Sequence, residues 1–393
     1  MTQVVFTPRA GLTQLPPLSL YVHFPWCVRK CPYCDFNSHE ARAGIDDHGY
    51  VAALLRDLEQ ALPAVWGRAV QTVFIGGGTP SLMSPEALAT LLDGIRARVR
   101  LDPEAEITLE ANPGTFEAEK FKAFRVAGVN RLSVGIQSFD DAQLQRLGRI
   151  HDSRQAHAAL DIALAHFDNV NLDLMYALPQ QTLVGALSDL SQGLAHGVTH
   201  LSAYQLTIEP NTLFHRYQPA DLPDDDLAAD MQEALEARLA DAGFSHYETS
   251  AFARAGRQCR HNLNYWRFGD YLGIGAGAHA KISSAEGIVR EMRHKQPAAY
   301  LQAVAGGDAA QTRQRVARSG LPFEFMMNAL RLVDGFELAW FSERTGVPLA
   351  DIQRELNQAE SRGFIARSAT HLRPTLTGQR FLNDLLTLFL KSE

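Results

Sequence analysis

Cys27, Cys31 and Cys34 are the residues in this chain whose type and spacing most directly imply chemistry. They fall within eight positions of a 393-residue sequence that holds only four cysteines. Close-set thiols in a cysteine-poor chain read as metal ligands, because a disulfide framework would spread more cysteines more evenly. A cubane iron–sulfur cluster normally takes four thiolates. Cys27-Val-Arg-Lys-Cys31-Pro-Tyr-Cys34 supplies three, which leaves one iron open for something else to bind. The competing reading is a zinc site, whose closed set of four would need His23 or His39.

Further stretches carry chemistry of their own. Gly76-Gly-Gly-Thr-Pro80 offers backbone that can approach a ligand closely. Glu110, in Leu109-Glu-Ala-Asn-Pro113, suits a cationic group, and Gln137, Arg149 and Asp173 add polar side chains. A series of strands must position them. The runs Leu18–Phe24, Thr72–Ile75, Ile107–Glu110, Arg131–Ile136, Val170–Met175 and Leu201–Thr207 alternate with helical patterns such as Tyr50–Leu62, and Ser84-Pro85 opens another helix. Repeated strand–helix units imply parallel pairing through right-handed crossovers. Spacing alone fits a partly closed barrel or an open doubly wound sheet. Six units predict a partial (βα)6 TIM-like barrel over residues 12–250, in the α/β class. In either architecture functional groups gather at the carboxyl ends of the strands. Cys27 follows the first strand, the glycine run the second, Glu110 ends the third and Gln137 the fourth, while Asp173 lies in the fifth. One site built from several strands is expected.

After residue 210 the alternation stops. Asp224-Asp-Asp226 begins a helix to Ala242, its acids complementing the dipole. A connecting segment spans 251–312, with residues 256–282 rich in glycine and aromatics and 283–318 irregular and polar. Three helical patterns from Leu321, with Gly363–Arg367 and His371–Pro374 as a β-wing, predict a winged-helix-like domain over 313–393. Hydrophobic residues at 46% and charged ones at 21% exclude disorder as the main theme. No apolar run approaches the ~20 residues of a membrane span. Met1–Pro8 lacks the features of a secretory leader, so a cytoplasmic location is expected. A net charge of −7 argues against bulk nucleic-acid binding. The C-terminal region, with 11 basic against 9 acidic residues, suits packing or partner docking better than DNA.

The motif CxxxCxxC, with Tyr33 before its last cysteine and a strand just ahead, resembles the radical S-adenosylmethionine superfamily. The resemblance implies a [4Fe-4S] cluster on Cys27, Cys31 and Cys34, its open iron chelating S-adenosylmethionine for reductive cleavage to a carbon radical. Tyr21-Val-His-Phe-Pro-Trp-Cys27, Gly76-Gly-Gly-Thr-Pro80 and Ser133-Val-Gly-Ile-Gln-Ser-Phe139 are similar to the branch of oxygen-independent coproporphyrinogen III dehydrogenases and their relatives, over nearly the whole chain. Carried over, Tyr21, Tyr33, Gly77, Gly78, Thr79, Glu110, Gln137, Arg149 and Asp173 would line the S-adenosylmethionine pocket. Two departures weigh against the dehydrogenases, which decarboxylate coproporphyrinogen III oxidatively; that activity stays the alternative reading. Phe36 stands where they carry a further cysteine, and His261-Asn-Leu-Asn-Tyr-Trp266 precedes Tyr271-Leu-Gly-Ile-Gly-Ala-Gly-Ala-His279. HNxxYW with CxxxCxxCDF resembles the haem chaperones of that branch. This implies haem as cargo, haem-accepting respiratory proteins as partners, and His261, Asn262, Tyr265 and Trp266 as haem residues. Imidazole is a standard axial ligand, and the two aromatics offer flat surface to a porphyrin. Arg260 or Arg267 could pair with a propionate. Cys259 reads as an idle buried thiol, with thiolate ligation left open. No catalytic residue is assigned, and peripheral membrane contact stays open.

Overall fold

The computed structural model describes residues 12, 14–41, 44–115 and 118–390. The leader comparison at Met1–Pro8 and the end of the expected C-terminal domain, 391–393, lie outside the described residues. Strands stand where the apolar runs predicted them: β1 (Leu18–Phe24), β2 (Ala69–Gly77), β3 (Arg100–Ala111), β4 (Arg131–Gln137), β5 (Val170–Tyr176) and β6 (His200–Gln205). Each pairs in parallel with the one before it. That order decides between the two architectures. A doubly wound sheet must reverse its strand order, whereas crossovers that always step the same way put every helix on one face. Helices α1 (Asp47–Ala61), α2 (Pro85–Arg98), α3 (Ala118–Ala127), α4 (Ser153–His166), α5 (Leu183–Ala195) and α6 (Asp225–Asp241) supply that cover. The result is an open, partial barrel. Asp224 caps α6 by accepting the Leu227 N–H at 2.8 Å.

Residues alternate along these strands in a way parallel sheets rarely show. Leu20, Val22, Ile75, Leu109, Val134 and Leu172 face the helices and are fully buried in the main core. Ser19, Thr72, Ser133, Asn171 and His200 face the lumen and bond across it. Thr72 donates to Ser19 at 2.8 Å, Asn171 donates to Ser133 at 2.7 Å, and Asn171 Oδ1 lies 2.6 Å from His200 Nδ1. Parallel strands covered on both faces are usually apolar on both. A polar lumen is the exception that leaves room for a polar ligand.

Residues 283–318 are not irregular. Past β7 (Ser245–Glu248) and β8 (Ala251–Ala253) the chain forms α7 (Arg260–Trp266), then β9 (Asp270–Ile274), which pairs in parallel with β1. β10 (His279–Ser284), β11 (Gly287–Arg293) and β12 (Ala310–Arg315) extend the sheet antiparallel, to twelve strands. Buried charges in β9, β10 and β11 break the apolar pattern, and β12 is polar and exposed. Lys281, 1% exposed, donates to Asp270 at 2.9 Å, and Arg68 reaches the same carboxylate at 2.8 Å. Arg293 pairs with Asp57 at 3.0 Å. Buried charges persist only when paired in this way.

A second apolar cluster joins Phe325, Phe341, Leu356, Leu372 and Leu385. Around it lie helices Leu321–Ala329, Ala339–Thr345 and Gln353–Ser361 and a small sheet of β13 (Phe336–Glu337), β14 (Ile365–Arg367) and β15 (His371–Pro374). The helices and the wing agree with the sequence. Among the described residues no helix is long and apolar enough to cross a membrane.

Candidate functional site

Leaving β1, the chain enters the loop that carries the three thiols. The glycine run grips the start of this loop, since the Gly78 and Thr79 amides donate to the carbonyls of Phe24 and Trp26, each at 2.7 Å. A Cβ on Gly78 would stand 2.5 Å from the Trp26 carbonyl oxygen. On Gly77, at φ +111°, it would stand 2.4 Å from the His23 ring. Close approach and a left-handed backbone together require glycine there.

All three thiols are free and half-buried. Thr79 Oγ1 donates to Cys27 Sγ at 3.4 Å, Ser38 Oγ lies 3.8 Å from Cys34 Sγ, and Arg149 donates to Cys31 Sγ at 3.6 Å. Burial pushes the Cys27 and Cys34 thiols up. Arg149 carries the test of whether a cluster fits. Its other acceptors are neutral, the Gly135 carbonyl at 2.7 Å and the Asn112 amide oxygen, and its enclosed Nε has no partner. No carboxylate pairs with it among the described residues. A guanidinium enclosed without counter-charge is costly, and an anionic, thiolate-held cluster on Cys31 would supply that charge. Among the described residues no three His, Cys, Asp or Glu side chains close around a single ion. A zinc site would need a fourth ligand from His23 or His39. His23 is also spoken for, with its ring nitrogens 3.0 Å from the Tyr21 hydroxyl and 2.9 Å from the Asn37 carbonyl.

Of the expected S-adenosylmethionine residues, Thr79 and Arg149 touch the thiols of this loop, whereas Asp173 lies in the lumen. Glu110 ends β3 and accepts the Gly77 N–H at 3.0 Å. Burial pushes its carboxyl up to about 7, against the pull of the Gly77 N–H and with repulsion from Asp173. Asp173, itself raised by burial, accepts from Asn171 at 2.8 Å and from Ser133 at 3.1 Å. Gln137 leaves β4 with φ 74° at an irregularity in the β4–β5 register. Bulges of this kind re-aim a side chain, and here the Gln137 amide lies beside Gly135 with Asn112 and Arg149. Tyr33 packs on Phe214, ring centroids 6.3 Å apart. Asn112 was no candidate on sequence, yet it joins the parts. Its Nδ2 donates to Thr79 at 2.9 Å and its Oδ1 accepts from Arg149, which links the partners of Cys27 and Cys31. Its place two residues past Glu110, at a strand's carboxyl end, was the available signal.

A cavity of about 770 Å³ opens between the cluster loop, the ends of β1–β3, α7 and β9–β10. Tyr21, Gly77 and Glu110 line one side, Phe36 and Lys30 come from the loop, and Tyr265, Trp266, Tyr271 and His279 form the far side. Tyr265 and Trp266 thus meet the residues of the first site. His261 and Asn262 do not reach this wall. His261 lies 1% exposed at the lumen floor, its ring nitrogens 2.7 Å from Thr72 Oγ1 and 2.8 Å from the Tyr265 hydroxyl. Burial pulls its imidazole down to about 3, and ligating iron would require breaking one of those contacts. Asn262 is half-buried on α7. Glu106 accepts the backbone N–H groups of Arg260 and His261 at 3.2 and 3.1 Å, so a lumen carboxylate caps α7. Cys259 is buried against Glu106, Sγ to Oε1 3.7 Å, and pushed up to about 12 by burial. Arg260 binds the Glu104 carbonyl at 2.6 Å and Arg267 covers the Trp340 ring at 5.7 Å. The cations on the cavity wall are Lys30 and Lys295 instead. Nothing in the sequence around Lys295 marks it.

Comparison with known proteins follows the same lines. Residues 21–185 match the model of the Radical SAM superfamily and residues 318–381 that of the HemN C-terminal domain. The chain is 48% identical to the heme chaperone HemW of Escherichia coli (strain K12), covering 96% of this chain and 100% of that protein. It is 47% identical to the heme chaperone HemW of Haemophilus influenzae, covering 97% and 100%. Against the mouse radical S-adenosyl methionine domain-containing protein 1, mitochondrial, identity is 37%, covering 95% and 87%. Among solved structures, coproporphyrinogen III oxidase (HemN) from Escherichia coli superposes with a TM-score of 0.81 at 23% identity, over 97% of this chain and 91% of that one, which shows a shared fold.

Proposed function

We propose, for a chain that belongs to the HemW family of the radical S-adenosylmethionine superfamily, that it is a haem chaperone which binds haem in the cavity beside the cluster loop and passes it to haem-requiring acceptor proteins. One observation carries the placement. A single cavity is lined by Gly77 and Glu110 of the glycine and β3 motifs, by Phe36 of the cluster loop, and by Tyr265 and Trp266 of HNxxYW. Its volume falls within the range of small-molecule and cofactor sites.

Cys27, Cys31 and Cys34 would hold a [4Fe-4S] cluster, which with S-adenosylmethionine on its open iron supplies reductive cleavage of the sulfonium. The chain's own groups do the rest. Thr79 and Arg149 donate toward the sulfurs, Ser38 Oγ lies beside Cys34, and these groups would offset the sulfurs' charge. Glu110 presents a carboxylate to a cationic ligand group at the barrel side. Phe36, 58% exposed, gives the loop an apolar edge where a further thiol would bring another sulfur ligand. Tyr265 and Trp266 offer ring surface to a flat macrocycle.

The test is anaerobic reconstitution, with iron and sulfide assayed, followed by haemin titration and mixing with an apo-haemoprotein. One haem per chain and its appearance in the acceptor are expected. No protoporphyrinogen should form from coproporphyrinogen III with S-adenosylmethionine and reductant. Failure of the reconstituted protein to bind haem would end the proposal.

A further inference from the structure

The histidines around the cavity differ in what their ring nitrogens do. His23 and His261 have both nitrogens engaged by protein groups, and His39 Nε2 lies 3.3 Å from the Lys295 carbonyl. His279 opens β10, is exposed, lines the cavity, and among the described residues has no hydrogen-bond partner at either nitrogen.

The turn that presents His279 is fixed by its backbone. Gly275 N–H donates to Asp57 at 3.1 Å, Ala276 N–H to the Tyr50 hydroxyl at 2.9 Å and Gly277 N–H to the His294 carbonyl at 2.9 Å. A Cβ on Gly275, at φ +102°, would stand 2.3 Å from the His23 carbonyl oxygen. A rigid support with a free functional tip is how a binding group is pre-organised. Lys295 sits on the same wall, its charge reaches His279, and among the described residues its ammonium has no partner.

Strand order sets the distance from the first site. The sequence β10, β9, β1, β2, β3 makes four inter-strand steps from His279 to Glu110, on the order of 19 Å along the sheet at ~4.8 Å per step. The two ends of the cavity can therefore serve different groups.

We propose that His279 is the ligand to haem iron, that Lys295 receives a haem propionate, and that the macrocycle lies against Tyr265, Trp266 and Tyr271. This rests on the haem-chaperone reading. Neutral imidazole is a standard iron ligand, and an ammonium facing a carboxylate forms a charge-assisted bond. His261 then acts as a positioning residue, holding Tyr265 from below.

The experiment titrates haemin into full-length, cluster-reconstituted protein and reads the Soret band, electron paramagnetic resonance and resonance Raman. Wild type, His279→Ala, His279→Met, His261→Ala and Lys295→Ala are compared. In wild type an imidazole-ligated signature is expected. His279→Ala should weaken binding by about tenfold or more and lose that signature, which free imidazole restores. His279→Met should shift the signature toward thioether ligation, and His261→Ala should keep the imidazole signature. Lys295→Ala should weaken haemin severalfold with no spectral change and leave haemin dimethyl ester, which lacks free propionates, unaffected. Retention of the wild-type signature and affinity in His279→Ala overturns the assignment while the haem-chaperone reading stands. Absence of haem binding in wild type overturns that reading, and the assignment with it.

Discussion

Glu110 gives the most quantitative handle on the barrel side of the cavity. Burial holds its carboxyl near 7, so close to half of the molecules present a carboxylate at neutral pH. S-Adenosylmethionine carries a sulfonium charge and an amino group that donates hydrogen bonds, and the ionised form of Glu110 is the one that attracts the charge and accepts most strongly. Apparent affinity then scales with the fraction in the competent form. From pH 7 to pH 6 that fraction falls about fivefold, and each further pH unit costs about tenfold until the bound-state pKa is reached. Raising the pH from 7 to 8 gains only about twofold. Binding must also release protons, about half a proton per ligand at pH 7. Isothermal titration in two buffers of different ionisation enthalpy measures both effects. Glu110→Gln should weaken binding at pH 8 and flatten the pH profile with no proton release. A wild-type affinity flat between pH 6 and 8, or a Glu110→Gln variant that keeps the slope, refutes the assignment. The sign for folding is opposite to that of an ordinary paired carboxylate. A carboxyl raised from 4.5 to about 7 favours the ligand-free fold fully below pH 4.5, and that contribution is lost as pH rises toward 7.

Three further outcomes follow from the geometry. Asp270→Leu strands the Lys281 ammonium, 1% exposed, and takes the acceptor from Arg68 and Ser283; it should cost about 3–5 kcal/mol in denaturant unfolding, with Lys281→Met in the same chain recovering part of it. A double variant no better than the single one argues against the pair. Gly77→Ala puts a methyl 2.4 Å from the His23 ring at φ +111° and should cost about 2 kcal/mol and lower the reconstituted iron and sulfide content; full loading would show that the backbone yields there. Thr79→Val removes the 3.4 Å donor to Cys27 and the 2.9 Å link to Asn112, so an anaerobic redox titration should place the cluster potential more negative than wild type. An unchanged potential would mean that the Thr79 hydroxyl does not act on the sulfur.

The strands most legible in the sequence were those whose outer face carries the apolar signal, as Leu18, Leu20, Val22 and Phe24 do in β1. The same strand's inner residues, Ser19, Tyr21 and His23, were visible as an alternation whose meaning came only with the polar lumen. Motif residues at strand ends, Gly77 and Glu110 among them, came together because carboxyl ends of consecutive parallel strands share one rim. β9 to β11 carry no clear sequence signal because Asp270, Lys281 and Arg293 put compensated charges inside strands, and compensation between distant residues leaves no local pattern; β12 is exposed and polar. Asn112 and Lys295 were missed for a related reason. Their roles depend on what lies opposite in space, across the rim for Asn112 and across the cavity for Lys295.

That distinction bears on how HNxxYW should be read. His261 and Tyr265 lie one helical turn apart on α7, and the hydroxyl of the second meets the ring of the first at 2.8 Å. Below them Thr72 and Ser19 continue the chain of contacts into the lumen, and Glu106 fixes the start of the helix. The motif therefore closes the floor of the barrel with its histidine and offers the cavity its aromatic rings. Replacing His261 leaves Tyr265 without its partner and Thr72 facing an empty pocket, so haem binding would fall even if this imidazole never touched iron. Loss of affinity alone cannot distinguish a ligand from a floor. A change in the axial signature can, because truncating a floor residue removes no imidazole from the iron.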